Sequence, residues 1–192
     1  VAERPGYVLI VGDLDVVPLA IQHVLATEVQ VGRLAFDRLD DYRAYAEKIA
    51  APATATRADA WLYSSDDGSR AIELGHRAMI RRGAPALART AATRFGQVDV
   101  LPADGPLHAA PGVHGPNALF TLTHGLAAPR EGWSAADRKA RQGSLRLGDD
   151  TVLDAAQAGQ GAWLPGGVWI AFACFSGRSR ISGAIARSSR SA

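Results

Sequence analysis

The sequence predicts an α/β fold, with a mostly parallel sheet and helices on both of its faces. Short, continuous apolar runs that end in turn residues are typical of strands buried on both sides of a sheet. Along the chain these runs alternate with stretches whose apolar residues have helical spacing. Such alternation is typical of a parallel sheet covered by helices.

The first part of the chain contains two predicted strands and one predicted helix. The apolar run Tyr7–Val11 ends in a Gly-Asp pair, so we expect a strand buried on both faces. A second, shorter strand is expected within residues 28–37 ("EVQVGRLAFD"). In the segment "LDDYRAYAEKIAA" the apolar residues have helical spacing, and Asp40 and Asp41 fall in the first turn, where the helix dipole favours negative charge.

The middle of the chain continues the alternation. Residues 60–65 ("AWLYSS") predict a strand that ends in a Ser/Asp/Gly turn, and residues 69–82 predict a helix. A second helix is expected to start within "GAPALARTAATRFG", followed by a short strand at residues 97–102. On the helix predicted over 69–82, one face comprises Ala71, Leu74, Ala78 and Met79.

The last part of the chain supplies two further strands and a hairpin. Residues 103–117 are rich in Pro and Gly and predict a surface loop or short helix. Residues 118–123 predict a strand, and the alternation in "SLRLGDDTVLD" around a Gly/Asp turn predicts a hairpin at residues 144–154. The final strand is expected over residues 168–174.

Composition is that of a globular protein, with 47% hydrophobic and 21% charged residues and a net charge of +2. We expect one domain over residues 1–177, followed at 178–192 by a Ser/Arg-rich tail or an incomplete end of the domain. The four arginines of that segment lack interleaved aromatic residues, so a solvated tail is favoured over a nucleic-acid site. Neither a bilayer-spanning run nor a signal peptide is evident, and a single cysteine fits a reducing, cytoplasmic compartment.

A histidine and the single cysteine each follow a predicted strand. His124 comes directly after the strand 118–123, and Cys174 ends the strand 168–174. Ligands of open α/β sheets bind at the carboxyl ends of the strands, so parallel neighbours would place both side chains at one rim. The imidazole would then activate the thiol, and the amides of Gly125 and Cys174 would stabilise an oxyanion. The alternative is an inert core cysteine and a turn histidine.

Several segments, in order, resemble the caspase-like (clan CD) cysteine peptidases. "LFTLTHG" and "VWIAFACFSG" are similar to the two catalytic blocks of that superfamily, and "YVLIVGDLDVVP" with "VGRLAFDRLDDYRAYAEKI" resembles the opening of gingipain-like and bacterial CHAT-type peptidases. The segment before the cysteine resembles CHAT domains, in which a hairpin and a helix precede a strand that ends in Ala-Cys. The residues that fit this pattern are Gln142, Gly143, Leu145, Leu147, Asp149, Leu153, Ala173, Cys174, Ser176 and Gly177.

The resemblance implies a caspase-like three-layer sandwich that hydrolyses peptide bonds of a protein or peptide substrate through a thioester. His124 would be the general base and acid, Cys174 the nucleophile, and the Gly125 and Cys174 amides the oxyanion hole. It implies no metal or cofactor, no membrane, no direct nucleic-acid contact, and a sensor or regulatory domain in the same or another chain, in a bacterial defence or signalling system. Which residues bind substrate is not indicated.

Two other functions stay open. Caspase-like domains usually continue past the cysteine block into a further helix and strand, whereas this chain continues into a short Ser/Arg-rich segment. A catalytically silent module that binds or scaffolds protein partners is therefore the alternative. Acyl transfer is a weaker one, since a Cys–His pair serves both reactions.

The remaining polar and aromatic candidates have ordinary structural interpretations. Asp13 and Asp15 follow the first strand and either form a turn or line a pocket for a basic substrate residue. Asp66 and Asp67 either cap a helix N-terminus or, like Asp13 and Asp15, line such a pocket. The Pro/Gly loop histidines lack the partners of a zinc site, and two tryptophans either pack in the core or border the cleft. These four residues are His108, His114, Trp163 and Trp169.

Overall fold

The computed structural model describes residues 5–51, 57–91, 95–110, 113–148, 151–159 and 164–174. The chain divides into two compact units, an N-terminal unit (described residues 5–51) and a central unit (described residues within 57–174). The domain end predicted at residue 177 lies outside the described residues. Within those residues no helix has both the length and the apolar character needed to cross a bilayer.

The N-terminal unit contains a two-stranded parallel sheet. Strand β1 (Tyr7–Val11) pairs with β2 (Gln30–Leu34), and the helices are α1 (Leu19–Leu25) and α2 (Leu39–Ala50). The predicted strands and α2 are confirmed, whereas α1 was not predicted.

The prediction that β1 is buried on both faces is wrong. Tyr7, Leu9 and Val11 are 82%, 58% and 60% exposed, and only Ile10 is buried, at 7%. The physical reason is that, within the described part of the chain, β1 has a single neighbouring strand, and neither α1 nor α2 contributes a buried residue. An apolar run is enough to specify a strand here. Burial of both faces of that strand also needs covering elements, which other segments of the sequence must supply.

The central unit is built on a four-stranded parallel sheet in the order β4-β3-β5-β9. The strands are β3 (Ala58–Ser64), β4 (Phe95–Val100), β5 (Ala118–Leu122) and β9 (Val168–Phe172). All four were predicted, with boundaries shifted by two residues or fewer. The mostly parallel α/β sheet is therefore confirmed.

A continuous helical segment packs on one face of this sheet. It comprises α3 (Arg70–Gly75), a π-helical stretch (His76–Arg81) and α4 (Gly83–Ala91). Both predicted helices are confirmed in position. The wider π-turns change the angular spacing of the side chains, so a simple helical period does not describe this segment.

The face with Ala71, Leu74, Ala78 and Met79 is not the buried face of this segment. Leu74 and Met79 are 47% and 39% exposed, and Ala71 and Ala78 are exposed as well. Ile72 and Ile80 are buried instead, in a cluster that includes Leu62, Ala84 and Leu122. Gly75 contributes by close approach, since a β-carbon at this position would lie 2.7 Å from Leu122 Cδ2.

The opposite face of the sheet is covered by short elements. A second, three-stranded antiparallel sheet contains β6 (His124–Gly125), β7 (Leu145–Arg146) and β8 (Val152–Leu153). Helix α5 (Ala135–Arg141), not predicted, precedes this hairpin, and α6 (Ala155–Gly159) follows it. The predicted hairpin is confirmed, with its residues 149–150 outside the described part. The core on this face comprises Tyr63, Leu101, Leu107, Val113, Leu119, Leu145, Leu147, Leu153 and Leu164.

Candidate active site

Three parallel strands of the central sheet end side by side. The Ser65 N–H donates to the Leu122 carbonyl at 3.0 Å, and the Thr123 N–H donates to the Phe172 carbonyl at 3.1 Å. The ladders between β3, β5 and β9 thus continue past the strand ends. Because β5 lies between β3 and β9, the segment after β5 begins between the segments that follow the other two.

His124 is the second residue after β5 and begins β6. It pairs with Arg146 of β7, and the Leu126 N–H donates to the Ser144 carbonyl at 2.8 Å. In an antiparallel ladder the hydrogen-bonded positions alternate, so the Gly125 N–H points away from β7. This orientation leaves the Gly125 amide directed away from the hairpin, while its oxyanion-hole role stays a prediction.

The imidazole of His124 contacts two side chains of the segment after β3. Its Nε2 lies 3.0 Å from Asp67 Oδ2 and 2.9 Å from Ser69 Oγ. The side chains of His124 and Asp67 are each about one-third exposed, at 32% and 31%. A carboxylate accepts hydrogen bonds, so in the neutral imidazole the hydrogen resides on Nε2 and the lone pair on Nδ1.

A tight turn after β3 presents Asp67 and Ser69 to the imidazole. Gly68 has φ of +70°, a backbone conformation that glycine adopts without steric cost. Across this turn Asp67 Oδ1 accepts the Ser69 N–H at 2.9 Å. Ser69 is the N-cap of α3, since its Oγ accepts the Ile72 N–H at 3.3 Å. The expectation that Asp66 or Asp67 caps this helix is therefore wrong. The turn occupies these residues, and the N-cap is Ser69.

The pKa of Asp67 is lowered from its ordinary value. Partial burial, the largest single effect, acts to raise this pKa. The hydrogen bonds from the Ser69 backbone and hydroxyl, together with the positive charge available on His124, outweigh it. The carboxylate is accordingly charged throughout the neutral range.

The geometry does not fit a serine nucleophile at Ser69. In a Ser-His-Asp triad the hydroxyl and the carboxylate contact different imidazole nitrogens. Here Ser69 and Asp67 share Nε2 of His124, and Ser69 Oγ also accepts the cap hydrogen bond. The arrangement leaves Nδ1 as the basic nitrogen.

Cys174 lies two residues beyond β9, the strand next to β5. It is a free, exposed thiol. The sequence therefore places the carboxylate, imidazole and thiol after β3, β5 and β9, in the order of the strands across the sheet. The sequence predicts a shared rim for His124 and Cys174 if the strands before them are parallel neighbours. The strands β5 and β9 are parallel neighbours, so this condition is met.

The other predicted candidates are not brought to this site by strand pairing. Asp13 and Asp15 belong to the N-terminal unit, and Asp13 Oδ1 accepts the Leu14 N–H at 2.6 Å, as in an ordinary turn. The Trp169 indole N–H donates to Thr121 Oγ1 at 3.0 Å, and its ring packs against the core. Trp163 lies outside the described residues.

No metal centre is found in the described part of the chain. His108 and His114 are exposed, and no group of three or more His, Cys, Asp or Glu side chains there could hold a metal ion. Among the described residues, the side chains at the rim after β3, β5 and β9 are therefore the candidates for catalysis.

Sequence reasoning missed the contact of Asp67 with His124, although the signal was present. The stretch "SSDDGS" follows a predicted strand, and the rule that placed His124 and Cys174 at strand ends applies equally to it. What the sequence lacked was the strand order. Only the order β3-β5-β9 makes Asp67 a neighbour of the imidazole.

Comparisons with protein-family models, with curated proteins and with solved structures find no match to this chain. The α/β fold with its mostly parallel sheet is established by the structure itself. A function for the chain therefore has to be argued from the site.

Proposed function

We propose that the chain is a cysteine endopeptidase in which Cys174 is the nucleophile and His124 the general base and acid. The observation that carries the proposal is the parallel pairing of β5 and β9, the strands that lead into these two residues. The contact of the Asp67 carboxylate with Nε2 of His124 supports the proposal, since the base that activates a nucleophile is typically oriented by a third group.

The reaction follows from these roles. Nδ1 of His124 accepts the thiol proton, and the Cys174 sulfur attacks the carbonyl carbon of the scissile peptide bond. The resulting oxyanion accepts hydrogen bonds from the Gly125 and Cys174 amides. The imidazolium then donates its proton to the leaving amine, which departs as a thioester forms. A water molecule, deprotonated by the same imidazole, hydrolyses the thioester and releases the acid and the thiol.

Asp67 acts on this cycle through the imidazole. Its carboxylate accepts the Nε2 hydrogen, which keeps the lone pair on Nδ1 in the resting state. When His124 takes up the thiol proton, the same carboxylate stabilises the positive charge. We name Asp67 a positioning residue, since it acts on the reacting atoms only through His124.

The finer identity of the protein belongs to the same proposal. The caspase-like sandwich of CHAT type fits the strand order around the site, the hairpin before α6 and the strand β9 that leads into Ala173 and Cys174. A protein or peptide substrate follows from that identity, as does a sensor or regulatory domain that controls cleavage in a bacterial cytoplasmic defence or signalling system.

Mass spectrometry of new peptide termini tests the reaction. A bacterial proteome extract is incubated with the wild-type chain, with Cys174→Ala, and with Ser176→Ala as a control that keeps the thiol. We expect new termini with the wild type and the control, and none with Cys174→Ala. Intact proteins that gain the mass of an acyl group would instead identify an acyltransferase, and an unchanged proteome combined with stable complexes would identify a scaffold. Either result would contradict the proposal.

A further inference from the structure

The β7–β8 hairpin lies beside His124 and beside the residue that precedes Asp67. Through β7 it pairs with His124, and beyond β7 a β-carbon on Gly148 would lie 3.2 Å from the backbone nitrogen of Asp66, in the turn that follows β3. We propose that this hairpin, anchored on the hydroxyl of Tyr63, sets the position of Asp67 relative to the imidazole, so that Tyr63 and Gly148 are positioning residues. The expected effect on rate rests on the proposed function, whereas the expected effect on the imidazole does not.

Tyr63 provides the anchor. Its side chain lies within β3, is 0% exposed, and belongs to the core on the hairpin face of the sheet. The phenol hydroxyl accepts the Gly148 N–H at 2.9 Å and donates to the Ala103 carbonyl at 3.3 Å. A buried hydroxyl is costly without such partners, so these bonds fix the hairpin against the strand that leads to Asp67.

Gly148 provides the contact with the turn. A β-carbon at this position would lie 2.2 Å from the Ala103 carbonyl oxygen and 3.2 Å from the Asp66 backbone nitrogen. Both are backbone atoms, so a larger residue could enter only if the hairpin, the segment that contains Ala103 or the turn moved. Asp66 directly precedes Asp67, and a displaced hairpin would therefore change the distance from Asp67 to Nε2 of His124.

His124 is attached to the same hairpin from the other side. Its backbone is opposite Arg146, two residues before Gly148. One short element thus pairs with the strand that holds the base and lies against the turn that holds the carboxylate. A change in the relative position of such groups by about 1 Å can reduce a rate by about 100-fold, because the hydrogen-bond geometry of proton transfer is lost.

Nitrogen-15 NMR of the histidine rings tests the anchor directly. Tyr63→Phe removes the hydroxyl and keeps the ring. Tyr42→Phe is the matched control, since the Tyr42 hydroxyl also accepts a backbone N–H, from Phe36 at 3.0 Å, in the N-terminal unit. We expect His124 to be mainly the Nε2–H tautomer in the wild type and Tyr42→Phe, and a mixture of both tautomers in Tyr63→Phe. Backbone amide spectra of the three proteins check that the fold is retained.

Gly148→Ala tests the contact independently of the hydroxyl. Gly83→Ala is its control, because a β-carbon at Gly83 would meet no atom within 4 Å. We expect the mixture of tautomers in Gly148→Ala and not in Gly83→Ala. Alkylation of Cys174 should also be slowed about 10- to 100-fold in Gly148→Ala, as in Tyr63→Phe.

The outcomes separate the two proposals. Wild-type tautomer ratios in both folded variants would overturn the role of the hairpin, whatever the chain catalyses. Should Tyr63→Phe not fold, Gly148→Ala alone decides the matter. A changed tautomer ratio with an alkylation rate that His124 does not influence would support the hairpin and contradict the peptidase.

Discussion

The two compact units begin with the same kind of sequence and differ in how they bury it. The strand β1 and the strand β3 are both apolar runs that end in turn residues with aspartate. In β1 only Ile10 is buried, whereas β3 buries Ala60, Leu62, Tyr63 and Ser64. The difference lies in the neighbours, since β3 has a strand on each side and packed residues on both faces.

The same contrast applies to the aspartates after these strands. Asp13 closes a local turn, whereas Asp67 contacts the side chain of a residue 57 positions away in the sequence, on the adjacent strand's extension. A side chain that follows a strand contributes to a site here only where another reactive side chain follows the neighbouring strand. The central sheet provides this and the two-stranded sheet of the N-terminal unit does not.

The largest expected effect compares two leucines in strands of the two units. Leu119 of β5 is 1% exposed, and Leu9 of β1 is 58% exposed. We expect Leu119→Ala to reduce the free energy of unfolding by about 2–5 kcal/mol, through lost burial and the cavity it leaves. Leu9→Ala should change it by about 0.5 kcal/mol or less. Denaturant titrations followed by circular dichroism measure both, and equal losses would remove the distinction between the units.

The next effect concerns the two aspartates. In Asp67→Asn the amide can donate to Nε2, which favours the tautomer with its hydrogen on Nδ1 and removes the base. We expect cleavage, and alkylation of Cys174 near neutral pH, to slow about 100-fold. Asp13→Asn keeps an acceptor for its turn and should leave both rates unchanged. Similar rates in the two variants would show that Asp67 is no more than a turn residue.

A smaller effect on stability is expected from two glycines. Gly75→Ala would place a β-carbon 2.7 Å from Leu122 Cδ2, in a buried cluster, and should cost about 1–3 kcal/mol of unfolding free energy. Gly32→Ala in β2 meets Leu9 Cδ1 at 3.4 Å, an ordinary contact with an exposed side chain, and should be tolerated. Thermal unfolding midpoints provide the comparison. A tolerated Gly75→Ala would mean that the helical segment packs less closely on the sheet than the structure shows.

The smallest effect is the pH dependence that Asp67 contributes. Its pKa in the folded chain is below the ordinary 3.8, so its stabilising contribution is fully present above about pH 3.8 and is lost as the pH falls through the lower folded value. The stability difference between wild type and Asp67→Asn should shrink as the pH falls from about 3.8 through the lower folded pKa. A difference that stays constant or grows over this acid range would contradict the ionised carboxylate.

How far the sequence predicts this molecule depends on whether a feature is local. The apolar runs identify β3, β5 and β9, and alternation identifies the hairpin, because each signal is contained within a few residues. The buried face of α3 and the π-helical stretch is missed, because Ile72 and Ile80 are selected by contact with Leu62 and Leu122 rather than by helical period.

The candidate site divides in the same way. His124 and Cys174 were predicted from their places at strand ends, and the pairing of β5 with β9 agrees with that placement. The contact between Asp67 and His124 depends on strand order, which no single segment of the sequence encodes. Recognising "DGS" after β3 as a glycine-dependent turn would have supplied the local half of the answer.

The roles of His124 and Cys174 are tested most directly by the rate at which iodoacetamide alkylates Cys174 near neutral pH. We expect a fast reaction in the wild type, a rate at least tenfold lower in His124→Ala, and no change in His108→Ala, whose imidazole is exposed elsewhere in the central unit. A slow wild-type rate that His124→Ala leaves unaltered would contradict these roles, because the thiol would then have no base beside it.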